Sequence, residues 1–138
     1  MRVLPLPLTE SGFGLLPTKK YDKTFEALLE ALPLVRQNKK EDSTTVLIAR
    51  IARYYGIVGK PTQALDYAQK AGLLLGEMED KKYQATATYY VGSAYLRANR
   101  KAKGLEHFKR ALAICTELGA KEDFESLTEE ITEIEKTA

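Results

Sequence analysis

Hydrophobic residues recur at steps of three and four from residue 19 to the end of the chain, as they do along one face of an α-helix. Glycine and asparagine interrupt the pattern, most clearly around Gly59, Asn99 and Gly119. These interruptions divide the chain into about six helices, and strand-like alternation never persists beyond a few residues. The sequence therefore predicts an all-α fold.

Residues that favour helix ends mark where the helices begin and stop. Asp42 or Ser43 is expected to cap a helix with a side-chain oxygen, and that helix should end near Gly59, which tolerates a left-handed backbone. Pro61 suits the first position of the next helix, because no backbone donor is needed there. Corresponding signals follow one helix pair later, at the expected cap Asp80 and at the turn residues Asn99 and Gly119.

Apolar stripes on two of these helices predict which side chains are buried. The stripe of the helix that begins at Pro61 consists of Leu65, Ala68, Leu73 and Leu74. The last helix, about residues 121–136, has one apolar and one acidic face, as suits a helix that caps a stack. Its apolar face holds Phe124, Leu127, Ile131 and Ile134, and its acidic face holds Glu125, Glu129, Glu130, Glu133 and Glu135.

Residues 44–83 and 84–123 are two copies of one forty-residue unit. The aligned pairs are Ala52 with Gly92, Tyr55 with Tyr95, Ala64 with Gly104, Leu65 with Leu105, Asp66 with Glu106, Lys70 with Arg110, Ala71 with Ala111 and Leu74 with Ile114. A period in this range is typical of stacked repeats, whose units bury their apolar faces against one another. A half repeat at residues 19–42 and a capping helix at 121–136 extend the array, so residues 19–138 form one repeat domain.

The small and aromatic residues at these positions resemble the tetratricopeptide repeat, in the subclass whose period is forty instead of about 34 residues. The matching positions hold Ile48, Ile51, Ala52, Tyr55, Ala64, Ala68 and Ala71 in the first copy, and Thr88, Val91, Gly92, Tyr95, Gly104, Phe108 and Ala111 in the second. The resemblance implies a right-handed α-α superhelix, and it implies a scaffold or adaptor function in protein–protein interaction.

The same resemblance implies that the first helix of each pair lines a concave groove, which binds a segment of a protein or peptide partner. The matching groove residues are Ala49, Arg53, Tyr89, Ser93, Leu96, Arg97, Glu129 and Glu133. Some relatives bind a C-terminal carboxylate with lysine and asparagine at two of these positions. Ala49 and Arg53 stand there in this chain, so that clamp does not carry over. The acidic end at Glu129 and Glu133 favours a partner with basic residues at one end.

Residues 1–18 differ from the rest of the chain. They contain three prolines and two glycines, which disfavour a helix, yet they are rich in leucine. They are expected to form an irregular apolar arm that packs over the first helices or fills a groove, either its own or a neighbour's. Self-association through this arm or through the end faces of the array is therefore the main alternative function, with a homo-oligomer as its product.

The charge pattern adds a third alternative. The net charge is only +2, but a basic patch precedes the acidic last helix. The patch consists of Arg97, Arg100, Lys101, Lys103, Lys109 and Arg110. It could contact an acidic partner or the acidic helix of another copy. RNA binding through this patch is less favoured, because the acidic cap opposes it and the core uses several of the tyrosines that would stack on bases.

Candidates for chemistry are few. His107 and Cys115 are the only residues of their types, so one chain cannot assemble a zinc ligand set from them, and no disulfide forms within the chain. His107 is expected to pack or to lie on the surface, and Cys115 to be a buried, unreactive thiol. No phosphate-binding loop or nucleophile motif occurs. We therefore expect no enzyme activity, no cofactor and no metal. No apolar run reaches the roughly 18–20 residues that span a bilayer, and the lone cysteine suits a cytoplasmic protein.

Overall fold

The computed structural model describes Glu30 and residues 41–136. The predicted arm at 1–18 and nearly all of the half repeat at 19–42 lie outside these residues. The described part consists of helices joined by short turns and contains no strand, which confirms the all-α prediction for it. Its elements are α1 (Glu41–Ile57), α2 (Pro61–Leu74), a 3₁₀ turn (Leu75–Glu77), α3 (Lys81–Arg97), α4 (Lys101–Leu118) and α5 (Lys121–Lys136).

Most of the predicted helix ends are confirmed. Gly59, Asn99 and Gly119 have left-handed backbones, with φ angles of 79°, 63° and 67°. Pro61 is the first residue of α2. The Asp80 side chain caps α3 by accepting hydrogen bonds from the backbone N–H groups of Lys82 and Tyr83. Local sequence chemistry therefore sets the ends of these helices.

Asp42 has a different role from the predicted one. Helix α1 already begins at Glu41, so Asp42 and Ser43 lie inside its first turn and do not precede it. The Asp42 carboxylate instead accepts a hydrogen bond of 2.9 Å from the backbone N–H of Asp80. It thereby connects the first turn of α1 to the residue that caps α3, across 38 positions in the chain.

The helices pack in an order that follows the chain. Helix α1 packs on α2 and α3, helix α3 packs on α2 and α4, and helix α4 packs on α5. Helices α3 and α4 approach each other closely where Gly92 and Gly104 face each other. A Cβ atom added to either glycine would lie 3.1 Å from the carbonyl oxygen of the other. Glycine is required on both sides because only its missing side chain allows the two backbones to approach so closely.

Several contacts recur forty residues apart. Tyr55 stacks on Tyr67 with ring centroids 5.5 Å apart, and the equivalent Tyr95 and His107 rings lie 5.3 Å apart. The ion pair between Asp66 and Lys70 (3.2 Å) has its equivalent between Glu106 and Arg110 (2.8 Å). The turn hydrogen bond from Lys60 N–H to the Tyr55 carbonyl (2.8 Å) recurs from Arg100 to Tyr95 at the same length. The sequence repeat is therefore also a repeat of contacts.

Burial differs strongly between helices. No residue is exposed from Asp42 to Val58 or from Gln84 to Ala98, so α1 and α3 form the interior of the described part. Three predictions of burial are wrong. Leu73, expected in the α2 stripe, is 83% exposed, and Phe124, expected on the apolar face of α5, is 40% exposed. Glu130, expected on the solvated face of α5, is only 2% exposed. Among the described residues, no helix is both long and apolar enough to span a membrane.

Candidate functional site

Three of the predicted groove residues have no accessible surface. Ala49 on α1 and Tyr89 and Ser93 on α3 are fully buried. The Tyr89 ring stacks on Phe108 of α4 at 4.8 Å, and the Ser93 hydroxyl donates a hydrogen bond of 3.0 Å to the Tyr89 carbonyl oxygen. In this structure these three residues therefore pack the interior and offer no surface to a partner.

The other predicted groove residues on α1 and α3 are half-buried. The Arg53 guanidinium lies over the ring of Tyr90 at 5.4 Å, which is a cation–π contact. Leu96 packs against Gly104, and the Cβ atom of Arg97 lies beside Gly56. These contacts are made between neighbouring helices and leave only part of each side chain accessible.

Glu129 and Glu133 on α5 are exposed, as predicted. Glu133 lies 3.6 Å from the ammonium group of Lys136, one turn further along the same helix. Such exposed pairs contribute little to stability, because water screens both charges. Both carboxylates are therefore accessible to solvent and to any molecule that approaches α5.

The basic patch is exposed only in part. Arg100, Lys103, Lys109 and Arg110 are exposed, whereas Arg97 and Lys101 are half-buried. Two of the exposed cations already have acidic partners: Arg110 pairs with Glu106 at 2.8 Å, and Lys109 with Glu135 at 3.4 Å. The patch therefore carries less free positive charge than its sequence indicates.

The structure adds a site that the sequence does not predict, a cleft between α2 and α4. Both helices pack on α3 but not closely on each other, which leaves a space of about 390 Å³ above α3. This volume lies in the range of small binding sites. The α2 side consists of Gln69, Gly72 and Leu73, the floor includes Tyr95 of α3, and the α4 side consists of Lys103, Glu106, His107 and Arg110. The cleft therefore joins residues of both repeats.

At the floor of the cleft, the Tyr95 ring contacts the His107 ring of the α4 side, with the ring planes tilted by 32°. The His107 Nδ1 atom lies 2.8 Å from the backbone carbonyl oxygen of Lys103. A carbonyl oxygen only accepts, so Nδ1 carries the proton and the Nε2 atom of the neutral ring is an acceptor. Burial lowers the pKa of His107, and Arg110 and Lys103 lower it further, against the opposing effects of the carbonyl hydrogen bond and Glu106. His107 is therefore neutral at pH 7.

The walls of the cleft combine an apolar surface with positive charge. Leu73 is the most exposed large hydrophobic residue of the described part. Beside it, a Cβ atom added to Gly72 would meet nothing within 4 Å, so this wall is open. On the opposite wall, the ammonium group of Lys103 lies 5.4 Å from the Tyr95 ring centroid. The cleft is lined by two cations, Lys103 and Arg110, and by one carboxylate, Glu106, so its charged side chains carry a net charge of +1.

Sequence reasoning included Lys103 and Arg110 in the basic patch but did not place Gly72 or Leu73 at a binding site. One signal was available in the run Leu73-Leu74-Leu75. Successive residues of a helix point about 100° apart, so three adjacent leucines cannot all face one core. One of them had to face solvent, although the sequence could not show that it would lie beside a cleft.

Cys115 is confirmed as a buried thiol. It is fully buried, and burial together with the nearby Asp123 carboxyl raises its pKa to about 11. Thiols of this kind are poor nucleophiles at neutral pH, because the thiolate is the reactive form. Within residues 41–136, no group of three or more histidine, cysteine, aspartate or glutamate side chains is arranged to hold a metal ion.

No model of a known protein family, no curated protein and no solved structure matches this chain. The resemblance to tetratricopeptide repeats therefore depends on the repeated residues themselves.

Proposed function

We propose that this protein is a protein–protein interaction module built from tetratricopeptide-like repeats, in which helix pairs stack into a right-handed superhelix. It acts as an adaptor or scaffold that binds a segment of another protein. The architecture is the one that the sequence repeat implies, and the packing order of the described helices is compatible with it.

The observation that carries this proposal is the recurrence of side-chain contacts at the forty-residue period. An equivalent aromatic pair and an equivalent ion pair occur in both copies, Tyr55–Tyr67 with Tyr95–His107 and Asp66–Lys70 with Glu106–Arg110. Units that repeat both their sequence and their contacts can pack on one another with the same relative orientation at each step. Stacked arrays present extended surfaces, which other proteins use for binding.

The accessible surface favours the cleft between α2 and α4 as the partner site over the groove along α1 and α3. The groove positions Ala49, Tyr89 and Ser93 have no surface for a partner. The cleft instead presents Leu73, which is almost fully exposed, beside charged side chains. A cleft that combines apolar side chains with a few polar groups is typical of binding sites.

Site-specific cross-linking tests this proposal on the full chain. A photoreactive phenylalanine analogue at position 73 is irradiated in an extract of the native source, and the same analogue at the exposed position 113 of α4, outside the cleft, is the control. We expect one defined protein to cross-link at position 73 and not at position 113. That protein is then purified and titrated against the native chain by calorimetry.

The matched variants for this titration are Leu73→Asp and Ala113→Asp. Both replace an exposed apolar residue, so neither should disturb the fold. The proposal requires that Leu73→Asp weakens binding of the purified protein and that Ala113→Asp does not. Equal cross-linking at both positions, or equal affinity of both variants, would show that the cleft is not a partner site.

A further inference from the structure

We propose that the cleft between α2 and α4 binds an acidic segment of the partner, with a carboxylate between Lys103 and Arg110 and an adjacent apolar side chain against Leu73. This inference rests on the proposed function, because it names the chemistry of the partner at the same site. It gives a location to the sequence-based alternative in which the basic patch contacts an acidic partner, and it differs from the expectation that a groove with an acidic end selects basic residues.

The first argument is the charge of the α4 wall. Lys103 makes a cation–π contact with Tyr95 and no ion pair within the described residues. Arg110 uses its Nη2 atom for Glu106, and a guanidinium has five N–H donors, so further donors can bind a second carboxylate. One positive charge in excess of Glu106 therefore lies beside the cleft and favours an anionic occupant.

The second argument is the apolar α2 wall. Leu73 has 83% of its surface exposed, and the position beside it is Gly72, around which there is open space. An apolar side chain placed there would cover both Leu73 and the edge of the cleft, with the hydrophobic gain that follows from removing their surface from water. A carboxylate and an apolar side chain on neighbouring residues of one segment fit the two walls together.

The test uses fluorescence anisotropy with three labelled peptides of equal length. They alternate leucine with glutamate, with glutamine or with lysine. We expect saturable binding of the glutamate peptide to the full chain, weaker binding of the glutamine peptide and the weakest binding of the lysine peptide. Affinity for the glutamate peptide should fall as salt is added, because the cleft charges are solvent-accessible.

The variant Lys103→Gln/Arg110→Gln should lower the affinity for the glutamate peptide by at least about tenfold, since it removes both cations of the cleft. The matched control Lys109→Gln/Lys121→Gln removes the same charge from exposed positions outside the cleft and should change affinity little. A third variant, Gly72→Glu, places a carboxylate in the open space beside Leu73 and should also prevent binding of the glutamate peptide. Circular dichroism verifies that each variant folds.

Equal affinity for the glutamate and lysine peptides, or equal effects of the two double variants, would overturn the inference. The peptides could fail to bind while Leu73→Asp still weakens binding of the purified cross-linked partner. In that case the inference that the partner segment is acidic is wrong, and the proposed function stands. Saturable binding of single-stranded RNA that the double cleft variant abolishes would assign the cleft to nucleic acid instead. A dimer in sedimentation equilibrium that dissociates in the same variant would assign it to a second copy.

Discussion

The hydroxyl group of Tyr89 donates a hydrogen bond to the carboxyl group of Glu130, 41 residues later in the chain. The oxygen atoms are 2.7 Å apart for Oε1 and 3.0 Å apart for Oε2. Both residues are buried, Tyr89 completely and Glu130 to all but 2% of its surface. Helix α5 packs mainly on α4, so this contact gives it a polar connection to α3. A buried carboxyl group is costly unless it is hydrogen-bonded, and the tyrosine supplies one of the bonds.

Replacing Tyr89 by phenylalanine should destabilise the protein by about 1–3 kcal/mol, because it removes a donor to a buried carboxyl group. Urea denaturation followed by circular dichroism measures this loss. The control is Tyr83→Phe, which removes a hydroxyl group from an exposed tyrosine and should leave the denaturation midpoint unchanged. Equal midpoints for Tyr89→Phe and the native chain would show that the hydrogen bond does not stabilise the fold.

The Gly92→Ala variant should lower the stability by about 1–3 kcal/mol, the usual cost of overpacking a core. The added Cβ atom would lie 2.6 Å from Phe108 Cδ1 and 3.1 Å from the Gly104 carbonyl oxygen. Side-chain movement could relieve the first contact, but the second is with backbone. The equivalent residue of the first repeat is already alanine, so a repeat-based alignment would wrongly predict a neutral substitution. The change in melting temperature measures the effect.

The Gly72→Ala variant should instead raise the stability by about 0.5–1 kcal/mol. Gly72 lies within α2, where glycine is less favourable than alanine by about that amount. Nothing lies within 4 Å of the added Cβ atom, so no clash offsets the gain. The same substitution thus has opposite effects at two helical glycines. A lower melting temperature for Gly72→Ala would mean that α2 packs more tightly at this position than the structure shows.

The free energy of unfolding should decrease below pH 6.5, because His107 is protonated less readily in the folded protein than in the unfolded chain. Its pKa is lowered in the folded protein, chiefly by burial, from an ordinary value of 6.5. As the pH falls through 6.5, the unfolded chain binds a proton before the folded chain does, and the folded state loses relative stability. Urea midpoints at about pH 7.5 and about pH 5.5 should therefore differ more for the native chain than for His107→Gln. Parallel pH profiles for the two proteins would contradict this assignment.

Cys115 should resist thiol reagents in the folded protein. A pKa of about 11 leaves about one thiol in a thousand ionised at pH 8, and burial also excludes the reagent. Reaction with 5,5′-dithiobis(2-nitrobenzoic acid) should be slow under native conditions. It should reach one equivalent rapidly in concentrated guanidinium chloride, since the chain has one cysteine. Rapid reaction of the folded protein would show that α4 and α5 separate readily around Cys115.

Several helix ends and the repeat period of this protein are determined by its sequence alone. The C-terminal ends of α1, α3 and α4 follow from Gly59, Asn99 and Gly119, and the starts of α2 and α3 follow from Pro61 and the Asp80 cap, because these residues act on the backbone within a few positions. The small residues that allow helices to approach closely, and the forty-residue period, are also readable from the chain. Such features are local or periodic, so a one-dimensional pattern records them.

The tertiary structure decided which face of each helix is covered. Glu130 is buried because Tyr89 reaches it from another helix, and Asp42 binds the amide of Asp80 rather than capping its own helix. Leu73 is exposed because α2 and α4 both pack on α3 and leave a cleft between them. A helical pattern shows that two faces differ, but the neighbours that cover a face come from distant parts of the chain. Their positions depend on how the helices cross, and no local pattern contains that information.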